Sequence, residues 1–373
     1  MNGKELFYFT GKCLALDDHP ELRDAIIEEL SVPAMDWEGF TGLCSNHLIL
    51  PTIYLKFKSH HLISLVPDVV WAFWEEIYQL NLLRNEGILK QLDAVISLLN
   101  ENEISPTILK GAGNLLEGLY SDIGERMIGD IDMLVPEKDY LRAAKILEND
   151  GYRSEGTVYG EIENFKHYPR LFKDDGGVNI EIHRLLVSPP HSKWFSPEMI
   201  EKEKVTIRAQ TTFYVLSDPH KAIFNFIHCQ LTHSGSAYGI VSFRDIYDLY
   251  LISKKTDVSA TVSQIKTKKK AISYFVFAGR SLSLPQRFYP AETFASKIFC
   301  YKHDLNQSLP VFYYAYRNLR YFHERILVGF SVQIFQSVYS KSMRRSVLGR
   351  LKNPRWYKDH FHSYLGFFHN TSR

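Results

Sequence analysis

The chain has 373 residues, 45% hydrophobic and 23% charged, enough to bury a large core and to divide into two or three globular units; intrinsic disorder is excluded as the default. Its 44 basic and 42 acidic residues leave a formal net charge of +2, which gives no whole-chain signal for nucleic acid or a membrane surface. The four cysteines, Cys13, Cys44, Cys229 and Cys300, are too scattered for a zinc site or a disulfide framework and read as buried thiols of a reducing compartment.

The opening residues, MNGKELFYFTGK, offer neither a long apolar core nor a small-residue cleavage site. No stretch reaches the roughly 20 apolar residues of a membrane span, because LISLVPDVVWAFW is broken by Pro67 and Asp68. A cytoplasmic location is the expectation. Residues 1–103 read as a helical region. PELRDAIIEEL carries Leu22, Ile26, Ile27 and Leu30 at helical spacing, and a longer helix runs from about Asp68 to Asn100. In that helix Leu80, Leu83, Ile88, Leu92, Val95, Ile96 and Leu99 make one apolar stripe, expected to face a packed layer.

The texture changes at Ser105-Pro106, and residues 104–190 read as a small α/β core. TILK is a short β-prone run ending on Gly111 and Gly113; NLLEGLY is a helix, SDIGERMIG a loop and DIDMLV an alternating strand stopped by Pro136. EKDYLRAAKILENDGY is an amphipathic helix capped by Gly151. KHYPRLFK and VNIEIHRLL, separated by Asp174-Asp175-Gly176-Gly177, carry a hairpin signal. The predicted class is α+β, a mixed sheet with helices packed on it. Residues 191–340 read as a helical C-terminal region, and residues 341–373 as a basic, aromatic tail.

Residues i and i+2 of a strand share a face, so Asp130 and Asp132 present two carboxylates together while Ile131 and Met133 turn to the core. Their mutual repulsion asks for a cation, and hard oxygen ligands favour Mg²⁺ or Mn²⁺. Taken alone, the pattern also suits an edge strand with solvated acids. Glu181, flanked by Ile180 and Ile182, joins the same site if NIEIH lies beside DIDMLV. Three carboxylates on two adjacent strands suit a two-metal centre, with ions about 3.5 to 4 Å apart, and hence phosphoryl or nucleotidyl transfer. His183 shares the face of Glu181 and is a candidate substrate contact, although a lone strand histidine is more often structural.

LKGAG ends a strand and opens a helix, where glycines let backbone N–H groups approach an anion. Arg126, in the loop before the DIDMLV strand, is placed to reach a phosphate oxygen or to pair on the surface with Glu125 or Glu117; Lys110 reads equally as a phosphate contact or an exposed lysine. His228 and His233 do not fall squarely on one helical face, and with Arg244 and Asp245 they are expected to pack or cap.

LKGAGNLLEGLYSDIGERMIGDIDMLV followed by NIEIH resembles the DNA polymerase beta-type nucleotidyltransferase superfamily. More narrowly, the chain resembles the bacterial "uncharacterised nucleotidyltransferase" family over roughly residues 35 to 255, through DWEGFTGLCSNHLILP, the long helix and HKAIFNFIHCQLTHSGSAYGIVSFRDIYDLYLI. The resemblance implies that Gly111 helps hold a nucleoside triphosphate, that Asp130 and Asp132 bind the metal, and that Glu181 helps activate the acceptor. Gly113 and Gly129 flank these positions. The chain departs from the pattern at Ala112, where a serine often stands, and in its longer Gly111-to-Asp130 spacing; Lys110 and Arg126 are the charges available in compensation. The function so implied is Mg²⁺-dependent transfer of a nucleoside monophosphate from an NTP to an acceptor that the sequence does not choose. The alternatives are a toxin-like or antiphage enzyme modifying tRNA or protein, suggested by Arg344, Arg345, Lys352, Arg355, Trp356, Tyr357 and Lys358, and a non-catalytic nucleotide-binding scaffold, suggested by Ala112.

Overall fold

Local capping and periodicity set the first helices. Helix α1 (Gly3–Leu14) starts on a capping box, in which the Asn2 side chain accepts from Glu5 N–H while the Glu5 carboxylate accepts from Asn2 N–H. With α2 (Leu22–Leu30), α3 (Trp37–Asn46) and α4 (Leu50–Ser59) it encloses an aromatic core in which Phe7, Phe9, Phe40, Tyr54 and Phe57 are fully buried. These belong to a computed structural model that describes residues 1–31, 35–154, 165–174, 176–208, 211–321, 323 and 329–352. The chain divides into two units, residues 1–155 with 166–304 and residues 156–165 with 305–373.

Helix α5 (Asp68–Glu101) is the long helix expected, but its buried stripe is not wholly apolar. Ile88, Leu92, Val95, Ile96 and Leu99 are buried as predicted, whereas Leu80 and Leu83 are 56% and 64% exposed. Their places on the buried face go to Asn81 and Asn85. Asn81 Nδ2 donates to Gly124 O at 2.7 Å and Arg126 O at 3.2 Å; Asn85 Nδ2 donates to Ile123 O at 2.6 Å and Arg126 O at 2.8 Å. The Arg84 guanidinium donates to Ile128 O. The first half of α5 therefore uses amides to satisfy loop carbonyls that no strand or helix pairs.

Among the described residues the sheet is seven-stranded and mixed. Its strands are β1 (Thr107–Ile108), β2 (Asp130–Leu134), β3 (Arg153–Ser154), β4 (Leu171–Phe172), β5 (Asn179–His183), β6 (Val205–Arg208) and β7 (Thr212–Val215), in the order β3-β4-β5-β2-β1-β7-β6. β2 runs parallel to β5 and β1 parallel to β7; the other neighbours are antiparallel. The predicted hairpin is the β4–β5 pair, with Leu171 opposite Ile180 and Gly176 at φ +84° in the connection; Asp175 of its turn lies outside the described residues. β6 and β7 come from the stretch read as helical. The Asn100 side chain fixes β7, accepting from Thr212 N–H at 2.8 Å and donating to Thr212 O at 2.9 Å.

Helix α6 (Lys110–Leu116) follows β1 directly, and α7 (Tyr140–Asn149) ends before Gly151, whose φ of +96° is the cap geometry its position predicts. A β-carbon on Gly113 would lie 2.4 Å from Ile108 O, so this glycine lets α6 turn back against its own strand. Gly113→Ala is expected to cost about 1–3 kcal/mol of stability, the usual range for overpacking. Calorimetry checks it: an unchanged melting temperature would mean that the turn relaxes freely.

The rest of the first unit is helical. It includes α8 (Pro197–Glu201), α9 (Asp218–Phe226), a π-helical turn at Ile227–Thr232, α10 (Gly235–Tyr238), α11 (Phe243–Ser253), α12 (Val258–Thr261), α13 (Lys268–Ser281) and the part of α14 (Phe294–Ser308) up to Asp304. The four cysteines are free and buried. The second unit contains α15 (Pro310–Tyr321), α16 (Gly329–Tyr339) and α17 (Lys341–Leu351), with α16 packed on α17. Of the basic tail, Lys341, Arg344 and Arg345 lie in α17, while Arg355, Trp356, Tyr357 and Lys358 fall outside the described residues. Among the described residues no helix is long and apolar enough to cross a membrane.

Candidate functional site

The parallel pairing of β2 with β5 places Asp132 directly opposite Glu181, Asp130 opposite Asn179 and Leu134 opposite His183. Ile131, Met133, Ile180 and Ile182 have no exposure, so one face of both strands is given to the core. By alternation the other face carries Asp130, Asp132, Glu181 and His183.

Asp132 and Glu181 are buried, at 1% and 5% exposure. Asp132 Oδ1 accepts from Lys110 Nζ at 2.6 Å and from His183 Nε2 at 2.9 Å. Glu181 Oε1 accepts from Arg170 Nε at 2.7 Å, and its Oε2 lies 3.3 Å from His183 Nε2. Burial alone would raise both carboxyl pKa values, yet Lys110 and His183 hold Asp132, and His183 and Arg170 hold Glu181, well below the usual range. Asp130 is half-buried, and burial together with the Asp132 charge pushes its pKa up. Two acids are thus held in the ionised form, while the third is pushed towards its neutral form although Lys110 and Arg170 act against that shift.

Among the described residues, the donor group tight enough to hold a metal ion is Asp132, Glu181 and His183, whose ligand atoms lie within 4.8 Å of one another. The expected triad of Asp130, Asp132 and Glu181 differs by one member. His183 joins the tight group because strand alternation sets it beside Glu181, while Asp130 lies on the same face of β2 and lines the same cavity.

Lys110 opens α6 with φ +52°, a left-handed backbone that costs a non-glycine residue about 1–2 kcal/mol. The turn is tied to β2 by Leu109 N–H donating to Asp132 O at 2.9 Å. Gly111, Ala112 and Gly113 are buried in this turn; Gly129, just before β2, has open space where a β-carbon would stand.

Arg126 is neither free for a phosphate nor paired on the surface. It is 7% exposed, with Nε 2.9 Å from Asp248 Oδ1 and Nη2 2.7 Å from Asp248 Oδ2, while Nη1 donates to Met127 O. Tyr120 Oη donates to the same Asp248 at 2.8 Å. The two alternative partners are engaged elsewhere: Glu125 accepts from Tyr247 Oη at 2.5 Å, and Glu117 pairs with Lys221. A buried guanidinium demands a buried carboxylate, and α11 supplies one.

The acids stand in a cavity of about 390 Å³ lined also by Lys110, Lys166, Arg170, His228, His233 and Arg244. No local pattern in the sequence marks Lys166 or Arg170 as a site residue. Both lie in or beside KHYPRLFK, which was legible only as a strand. His228 and His233, expected to diverge, have their Nε2 atoms 3.2 Å apart. The π-turn explains this, since His233 N–H donates to His228 O and brings residues five apart into contact.

No curated protein matches the chain. Residues 33–290, well over half of its length and including every residue of this cavity, match the family described as uncharacterised nucleotidyltransferase. The chain therefore belongs to the uncharacterised nucleotidyltransferase family.

Proposed function

We propose that the protein transfers a nucleoside monophosphate from an NTP to an acceptor, using a divalent cation held by Asp130, Asp132, Glu181 and, through its imidazole, His183. The observation that carries this is the register of β2 and β5, which makes Asp132 and Glu181 direct neighbours and puts Asp130 on their face, all lining one cavity. The donor set fits Mg²⁺ or Mn²⁺, being dominated by carboxylate oxygens. Bound there, the cation would orient the α-phosphate and lower the pKa of the acceptor group.

The chain's own residues prepare that arrangement. Lys110 and His183 keep Asp132 ionised, and Arg170 fixes the Glu181 carboxylate, so both ligands are oriented before a cation arrives. A cavity of this size is in the range that binds small molecules and sheds much of their water. A scaffold without turnover would have little reason to hold Asp132 and Glu181 ionised at its floor.

The test incubates the protein with each labelled NTP, Mg²⁺ or Mn²⁺ and a cell extract, and asks what becomes labelled. Glu181→Gln is expected to retain most NTP binding and to lose transfer by about a hundredfold or more, beyond the effect of outer-shell changes. Labelling by this variant at the wild-type rate would reduce Glu181 to a strand acid.

A further inference from the structure

The charges around the cavity can be paired off. Lys110 is matched by Asp132, Arg126 by Asp248, Arg170 by Glu181, Lys221 by Glu117 and Asp218, and Arg244 approaches Asp245 at 4.0 Å. Among the described residues that line the cavity, Lys166 is the lysine or arginine left without a carboxylate within 4.0 Å. It is only partly exposed, and burial together with the nearby Lys110 ammonium pushes its pKa down. Its ammonium feels Asp132, Glu181 and Asp130 across the cavity but pairs with none of them within 4.0 Å, and a cation so placed is a site for an anion that arrives from outside.

The same cavity holds the His228–His233 pair, with ring centroids 4.5 Å apart and Nε2 atoms 3.2 Å apart. Two imidazoles at that distance share one hydrogen bond when neutral, and a second proton there needs negative charge nearby. The charged groups that face the pair are Lys110 beside β1, Lys166 before β4, Arg244 on α11 and Asp132 on β2. Cations outnumber the acid. Burial and these cations push both histidines below their usual pKa, so the pair stands neutral until an anion enters.

We propose that Lys166 and the His228–His233 pair form the polyphosphate-binding end of the cavity, with Lys166 as the standing cation and the pair taking up a proton when the polyphosphate enters. The inference rests on the nucleotidyltransferase reading and deepens it by assigning the terminal phosphates to groups other than Lys110 and Arg126, which are already matched by carboxylates.

Isothermal titration in Mg²⁺ near neutral pH tests it, with inorganic tripolyphosphate, the four NTPs and the four NMPs as probes. Lys166→Ala is expected to weaken tripolyphosphate and NTP binding about tenfold to a hundredfold, the worth of one charge-assisted hydrogen bond, and to change NMP binding by less than about twofold. Lys166→Arg should restore most of the loss. Titration in buffers of different ionisation heat should show uptake of about one proton per triphosphate by the wild type and none by His228→Asn/His233→Asn.

Equal loss of NTP and NMP affinity in Lys166→Ala, or unchanged proton uptake in the histidine variant, would overturn the proposal and leave the enzyme reading standing. Absence of NTP binding by the wild type would remove both. Circular dichroism of each folded variant separates these outcomes from misfolding, and Lys166→Met, which keeps the stem of the side chain, repeats the charge test if the alanine variant is unstable.

Discussion

Asp132→Asn is expected to abolish Mg²⁺-dependent NTP binding and to lower turnover by about a thousandfold or more, the upper end of what one preorganised electrostatic contact contributes. Asp132 receives both Lys110 and His183 and is the direct neighbour of Glu181, so its charge organises every other group on that face. Removing it leaves the Lys110 ammonium without its carboxylate and should also cost stability, because Asp132 is almost fully buried. Strand alternation puts Asp130 and Asp132 on one face alike; the structure separates them, Asp130 half-buried and Asp132 almost fully buried.

Asp130 has its pKa raised by burial and by Asp132, so at neutral pH its ionised form opposes folding and its neutralisation relieves that opposition. Asp130→Asn should therefore lose metal-dependent binding while melting at or slightly above the wild-type temperature in chelator. Titration calorimetry and thermal melts of the two variants decide the matter. Unchanged NTP affinity in Mg²⁺ for Asp132→Asn would remove the central claim.

The second large effect concerns stability. Arg126→Ala is expected to destabilise the first unit by about 3–5 kcal/mol, because it strands Asp248, and with it the Tyr120 contact, in a buried site. The melting temperature should fall by about 10 °C. Asp248→Ala should fall by a similar amount, and Arg126→Met/Asp248→Leu should recover much of the loss, since an apolar pair of similar volume avoids the uncompensated charge. If instead Arg126→Ala melts like the wild type and loses only triphosphate affinity, the guanidinium reads phosphates and the Asp248 pair is incidental.

The parts of the site legible in the sequence are those written in strand alternation. DIDML and NIEIH each declare two faces, and the acids on one face follow from the isoleucines and methionine on the other. Partners supplied from distant positions were not legible. Nothing local to Arg126 points to Asp248, and nothing in KHYPR says that its lysine lacks a carboxylate while its arginine has one.

Two patterns misled for identifiable reasons. Hydrophobic periodicity put Leu80 and Leu83 inward on α5, but carbonyls of the loop before β2 outcompete leucine for that face and recruit Asn81 and Asn85. A regular α-helical wheel separated His228 from His233, and a single π-turn reunites them. β6 and β7 were missed because each is only four residues long, too short for its alternation to stand out in a stretch otherwise read as helical.

The pairing of β1 has a consequence for how the protein comes into being. Its two residues take β2 as one neighbour and β7 as the other, with Thr107 beside Tyr214. Such contact order slows folding, because a long loop must close before the strand is repaid. A nascent chain extending only through α7 already carries Asp130 and Asp132 but neither Glu181 nor the Asp248 that settles Arg126. The carboxylate floor is completed at β5, the sheet at β7 and the anchor of the preceding loop at α11, so the site proposed for a cation and a nucleotide is complete only after most of the first unit has left the ribosome.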